Sequence, residues 1–302
     1  MTFRFGIDEL LGSAKLLQSL HSRQVALVAH PASVTCGLQH SLDGLIQHGV
    51  KVSRAFGPQH GMRGDKQDNM IESADYLDPT HGIPVISLYG EHRFPTQEML
   101  ADIDVVLFDL QDVGCRIYTY ITTLKYFLEA CGTADVELWV LDRPNPAGRP
   151  IDGLRLEAGQ ESFVGCDTLP TRHGLTTAEL AQWLVAKHQL PVRLKTIKMI
   201  DYQPTVGPGY GWPLHQRPWV NPSPNASSLN MSRCFPGTVL LEGTELSEGR
   251  GTTVPLEIIG APDFPAMEVL NYLQSQRPEW LQGVFLRPCF FSPTFHKHQG
   301  EL

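Results

Sequence analysis

Five short runs rich in Val, Ile, Leu and Phe recur through the first half of the chain: VALVAH (25–30), KVSRAF (51–56), PVISLYG (84–90), VVLFDL (105–110) and ELWVLD (137–142). Their length and composition read as strands. Between several of them the spacing changes to that of a helix. In YTYITTLKYFLEACG, residues Ile121, Leu124, Leu128 and Cys131 form one apolar stripe. Thr176 followed by Glu179 is a capping box that opens a helix over TTAELAQWLVAKH. Strands alternating with helices predict an α/β fold, a Rossmann-like, mostly parallel sheet with helices on both faces. From about residue 201 the texture changes. DYQPTVGPGYGWPLHQRPWVNPSPN has no period and too many Trp and Tyr for a flexible linker, which suits a functional loop or covering flap.

In such a sheet, ligands bind beyond the carboxyl ends of the strands, so the residues just after each strand carry the functional information. GPQHGMRG comes after the second run, YGEHRFPT after the third, FDLQDVGCRIYTY after the fourth and LDRPNPAG after the fifth. Four strand ends thus deliver carboxylates, amides, Arg, His and Tyr to one rim, the composition of a polar cleft. The signatures of nucleotide and metal chemistry are missing. The first strand runs into HPASVTCG rather than G-x-G-x-x-G, and GPGYG (207–211) has neither a strand before it nor a helix after it. There is no P-loop, H-E-x-x-H or G-x-S-x-G. The expectation is a sheet that works without metal or cofactor.

Each polar residue has two readings. Asp109, Gln111 and Asp112 could share acid/base work or hold sugar hydroxyls, while Asp112 could equally cap the following helix. Arg116 and Arg143 could grip a carboxylate bidentately or pair with a buried Asp. Asp142, Arg143 and Asn145 sit in a Pro-rich loop that one of them could simply brace. His60, His92 and His173 are ligands or bases on one reading and hydrogen-bonded structural residues on the other. Tyr89, Tyr118, Tyr120, Trp212 and Trp219 offer faces for a sugar or belong to the core. In EGTELSEGRGT, Glu248 and Arg250 flank Gly249 in a turn that would let backbone approach a ligand.

Charge and cysteine usage exclude other classes. With 24 Lys plus Arg against 32 Asp plus Glu, the net charge of -8 provides no field to attract nucleic acid or anionic lipid. Six scattered Cys without C-x-x-C indicate free thiols in a reducing compartment. MTFRFGIDELLGS lacks the features of a signal peptide, and no run reaches the roughly 18 apolar residues of a membrane helix, so the expected location is cytoplasmic.

Taken together, FGPQHGMRG, PVISLYG, VLFDLQDVGCRIYTY, VLDRPNPAG, SFVGCDTLPTRHGLTTAELA, PSPN and FPGTVLLEGTELSEGRGTT resemble, in order, the exo-β-N-acetylmuramidase family, long classed as a domain of unknown function. The resemblance implies a Rossmann-like catalytic domain, placed at 1–262, and a smaller auxiliary domain, placed at 263–302 and expected to be cut short. It also implies removal of N-acetylmuramic acid from the non-reducing end of peptidoglycan fragments, with a small-molecule glycan as partner. The motif residues Arg63, Ser223 and Asn225 join the expected substrate-binding set of Tyr89, Gln111, Arg116, Tyr118, Tyr120, Asp142, Arg143, Asn145, His173 and Arg250. Where the family has P-E-H-G, this chain has Pro58, Gln59, His60 and Gly61. The expected catalytic set is Gln59, His60, Glu91, Asp109, Asp112 and Glu248, with one of the carboxyls serving as acid. The adjoining GDKQDNMIES is polar and orderly, as in a retuned site.

Overall fold

A computed structural model describes residues 2–300 except 65–73, 207–211, 213 and 215. Most of GDKQDNMIES and all of GPGYG lie outside the described residues. The strands are β1 (Val25–Ala29), β2 (Val52–Gly57), β3 (Tyr76–Leu77), β4 (Pro84–Ser87), β5 (Val105–Asp109), β6 (Glu137–Leu141), β7 (Asp152–Arg155), β8 (Pro170–Arg172) and β9 (Arg193–Ile197). The α-helices are α1 (Gly6–Gly12), α2 (Ala14–His21), α3 (Ser41–Gln47), α4 (Gln97–Leu100), α5 (Tyr120–Ala134), α6 (Thr177–His188), α7 (Leu229–Thr238) and α8 (Ala266–Gln276). All five expected strands form, and α6 opens on the capping box of Thr176 and Glu179.

Seven strands make one sheet in the order β3-β4-β2-β1-β5-β6-β9. Only β3 is antiparallel to its neighbour. Numbered by their order along the chain, the six parallel strands read 3-2-1-4-5-6, the doubly wound Rossmann order. Alternate residues of each strand enter separate cores. Val28, Phe56, Phe108 and Val140 pack with Leu124, Phe127 and Leu128 of α5 and Leu180 and Leu184 of α6. Leu27, Ala55, Leu107 and Trp139 pack with Ile7 and Leu10 of α1 and Leu42 and Leu45 of α3. Burial on both faces explains why the strands read as apolar runs instead of alternating. Helix α1 is seated tightly on β6: the Gly6 N–H donates to the Asp142 carbonyl at 2.9 Å, and a Cβ on Gly6 would come within 2.4 Å of the Asp142 nitrogen.

The contact pattern divides the chain into Met1–Pro236 and Gly237–Leu302, upstream of the boundary expected at 262. The division falls at Pro236, inside α7, where proline removes a helical hydrogen-bond donor. In the second unit Glu248 is buried between Arg250 Nε at 3.2 Å and Lys297 Nζ at 3.3 Å, and Arg250 also pairs with Glu242. Among the described residues, no helix is long and apolar enough to cross a membrane.

In the first unit the last turn of α6 is pinned by Asp167, whose carboxylate accepts hydrogen bonds from Lys187 and His188 and from the Thr168 backbone N–H. Burial raises its pKa, but these donors outweigh burial and bring it down to about 2. The folded state therefore holds the ionised form more strongly than the unfolded chain does. Its contribution is complete above the ordinary Asp value and is lost as pH falls from about 4 towards 2. Urea melts over that interval should show Asp167→Asn with a flatter loss of stability than the parent. Equal slopes would remove Asp167 from the acid-sensitive groups.

Candidate active site

The strand order reverses between β1 and β5, and the crevice beyond their carboxyl ends is where this fold places ligands. His30, directly after β1, is fully buried at this strand end. The Gln111 backbone N–H donates to His30 Nε2 at 3.1 Å, so the proton is on Nδ1, which donates to Ser33 Oγ at 2.7 Å. Ser33 in turn donates to the Asp109 carbonyl. Burial, and then the neighbouring Arg143 charge, hold the His30 pKa well below its ordinary value, so the imidazole is neutral.

Gln59 enters from the end of β2 on a tight turn. The Gly61 N–H donates to the Pro58 carbonyl at 2.8 Å, and His60 takes φ +74°, a left-handed conformation that costs a non-glycine residue about 1–2 kcal/mol. Strain of this kind persists where the surroundings over-determine a functional residue. The turn half-buries Gln59 and buries His60. Thr119, the N-cap residue of α5, makes no side-chain cap; its hydroxyl donates to Gln59 Oε1 at 3.0 Å. Residue 59 therefore faces the positive end of a 15-residue helix.

Asp112 follows β5, which lies on the other side of β1 from β2. Its Oδ2 accepts from the Gly114 N–H at 2.6 Å and from His173 Nε2 at 3.2 Å. The Leu175 N–H donates to His173 Nδ1 at 3.2 Å, which fixes the tautomer that donates to Asp112. The other oxygen, Oδ1, is buried without a hydrogen-bond partner, and Asp112 borders a small void beside Tyr120. Tyr120 donates to the Pro222 carbonyl at 2.9 Å and packs edge-on against His30 and Tyr118. The Tyr118 hydroxyl, near those of Ser223 and Tyr120, has no hydrogen bond of good geometry, and burial pushes its pKa up. Gln111 donates from Nε2 to the carbonyls of Asp112 and Pro144, while its Oε1 is buried without a partner. A narrow crevice lined by Phe5, Thr35, Gln111, Arg143, Trp212 and Arg217 adjoins it.

The structure turns several expected site residues to other tasks. Asp109 is fully buried, receives Arg143 Nε at 2.6 Å and Nη2 at 2.9 Å, and accepts from the Ser41 hydroxyl. The two groups saturate each other, so Asp109 is closed to acid work and Arg143 to gripping a substrate. Arg63 is likewise held by Asp78, and Arg116 donates to the Leu169 carbonyl at 2.8 Å. Asp142 is pushed up to about 6 by burial, yet its Oδ1 accepts from the N–H groups of Arg143 and Ala178 and serves the start of α6. Asn145 braces its own loop, accepting from the Ala147 N–H and donating to the Leu175 carbonyl. Tyr89 is buried beneath the Arg93 guanidinium, and the Glu91 side chain is 91% exposed beside His92. Asn225 is half-buried in the turn after Tyr120's partner Pro222. Glu248 and Arg250 belong to the second unit.

Gln59, His60, Gln111, Asp112, Tyr118, Tyr120, His173 and Ser223 remain grouped in the first unit. Sequence reading misses His30, Ser33 and Thr119. His30 and Ser33 come directly after the first strand, so the strand-end rule could have found them. Thr119 is hidden between the two tyrosines of YTY. Among the described residues, no group of three His, Cys, Asp or Glu side chains is arranged to hold a metal ion.

A family model described as "Exo-beta-N-acetylmuramidase NamZ, N-terminal" matches residues 25–230, and its C-terminal counterpart matches residues 233–302. The peptidoglycan beta-N-acetylmuramidase NamZ of Bacillus subtilis is 41% identical over 305 residues, covering 98% of this chain and 70% of that protein. A crystal structure of a DUF1343 family protein from Bacteroides fragilis has a TM-score of 0.87 at 33% identity, covering 99% of this chain and 75% of that one. A second from the same organism has a TM-score of 0.76 at 27% identity, covering 100% and 74%.

Proposed function

The chain belongs to the exo-β-N-acetylmuramidase family, and on that premise we propose that it is an exo-acting glycoside hydrolase removing N-acetylmuramic acid, or a closely related acidic amino sugar, from the non-reducing end of peptidoglycan fragments. The crevice beyond β1 and β5 is its site. The observation that carries this reading is the grouping there of a His-held carboxylate, Asp112, with Gln59 and two tyrosines. The half-buried Tyr118 ring, backed by Tyr120, suits a sugar face, and the unpartnered acceptors Gln111 Oε1 and Asp112 Oδ1 suit hydroxyl or amide donors. Arg217, beside Gln111 in the adjoining crevice, supplies positive potential for the lactyl carboxylate.

Within this reading Asp112 moves the proton. His173 and the Gly114 N–H hold Oδ2, leaving Oδ1 for the proton exchanged with the glycosidic oxygen or the attacking water. Gln59 cannot cycle a proton; its amide, oriented by Thr119, positions the acetamido group or the water. The same glutamine favours a second reading, a muramyl-sugar-binding protein with little or no turnover, because glycoside hydrolysis ordinarily uses two carboxyl groups.

Release of N-acetylmuramic acid from a MurNAc-GlcNAc disaccharide separates the two. The hydrolase reading expects measurable release from the parent chain and a fall of about 10²–10⁴-fold in Asp112→Asn, with disaccharide binding retained. Binding without release in the parent would establish the second reading.

A further inference from the structure

YGEHRFPT, expected from the sequence to serve the active site, is put to a different use by the fold. Its residues begin a line of aromatic rings down the flank of the first unit. Tyr89 and Phe163 have centroids 6.0 Å apart, Phe163 and Tyr126 stack at 6.5 Å, and Phe94 meets Tyr126 edge-on at 6.3 Å. Arg93 lies over Tyr89 and Phe163 at 4.7 and 5.2 Å, which ties the line together. The line ends in an open groove of about 550 Å³ between the start of α4 and one face of α5. Phe94, 52% exposed, and Tyr126 form its aromatic wall, and Thr96, Glu98, Glu129 and Thr133 contribute hydroxyls and carboxylates.

We infer that this groove is an accessory saccharide-binding site that takes neutral β-linked N-acetylhexosamine units of a glycan chain. The ring wall suits the C–H face of a pyranose, and the Glu98 and Glu129 carboxylates in the same lining suit its hydroxyls. Among the described residues no cation lines the groove; two carboxylates do, and Lys125, 3.9 Å from Glu129 and outside the lining, offsets one of them, so the lining offers an anionic ligand no positive partner and leaves a neutral sugar unopposed. The choice of N-acetylhexosamine rests on the glycan-hydrolase reading above. The site is separate from the crevice at β1 and β5, since the residues that line the groove line neither that crevice nor the void beside Asp112. An exo-acting site engages a chain end; a groove on the flank retains the polymer while ends are trimmed.

The test uses the full chain, with chitotetraose followed by calorimetric titration and release of N-acetylmuramic acid measured on the disaccharide and on long glycan strands. Phe94→Ala and Thr133→Arg both alter exposed positions, one removing the ring and the other filling the groove with a bulky cation. Each should weaken chitotetraose binding by about five- to tenfold and slow release from long strands, with release from the disaccharide unchanged. Absence of chitotetraose binding in the parent, or undiminished binding in both variants, would overturn the proposal. If no variant releases sugar from the disaccharide while Phe94→Ala and Thr133→Arg still lower chitotetraose affinity, the groove stands and the hydrolase reading falls. An affinity that follows a lysine-bearing peptide instead of the sugar overturns the saccharide assignment.

Discussion

Gln59→Glu should accelerate release of N-acetylmuramic acid by about 10²–10⁴-fold over the parent chain, the range typical of one well-placed acid/base group. The surroundings are already built for a carboxylate. The Thr119 hydroxyl that donates to Gln59 Oε1 would donate to the introduced carboxylate without moving, and the N-terminal end of α5 faces the same position. Both favour the ionised form and so lower the pKa of the introduced group. The gain should therefore set in below the ordinary carboxylate range and be level within it, with Asp112 supplying the opposite proton transfer. Because the substitution exchanges an amide for a carboxyl of the same shape in a half-exposed position, stability should change little. A Gln59→Glu chain that binds the disaccharide as tightly as the parent yet hydrolyses it no faster would mean that residue 59 does not face the scissile bond. Adding Thr119→Ala should take back part of the gain and shift the pH profile towards higher pH, since a donor to the ionised carboxylate is lost.

The second large effect is on stability. Asp109→Asn leaves the Arg143 guanidinium buried without its counter-charge, and breaking a buried pair in this way costs about 3–5 kcal/mol. For a unit of this size that corresponds to a fall in melting temperature of roughly 6–20 °C. The damage should be wide because the pair ties together three strand ends. Arg143 follows β6, Asp109 ends β5, and Arg143 Nη2 also donates to the Val34 carbonyl beyond β1 at 3.0 Å. The Ser41 hydroxyl adds α3 to the same carboxylate. Calorimetric melts of Asp109→Asn and the parent decide the matter. A variant that melts within a degree or two of the parent but has lost turnover would return Asp109 to the chemistry and remove it from the clamp.

The contrast between Asp109 and Asp112 shows where sequence reading stops. Both lie in FDLQDVGCR, and both have the same side chain and proximity to a strand end. Which one remains open depends on Arg143, more than thirty positions along the chain, reaching the first, and on His173, sixty-one positions away, reaching the second. Neither distance has a periodic signal. The strands were legible because burial on both faces demands continuous apolar residues, and the capping box of α6 because it closes within four residues. By contrast, β9, RLKTI, is an edge strand with intermediate burial and has no apolar run to announce it. Helix α1 is short and depends on Gly6 fitting against the end of β6.

Periodicity and local capping are properties of neighbouring residues, so the alternation of the five central strands with helices, the parallel sheet and the rim on which polar residues collect could be read from the chain. Which partner each of those polar residues takes is decided by contacts across strand ends. There, burial makes an unpaired charge costly, so each carboxylate and guanidinium takes the partner that folding brings within reach. The fold closes Asp109 and Arg143 on each other, leaves Asp112 with one free oxygen beside His173, and sets Gln59 against Thr119 at the head of α5.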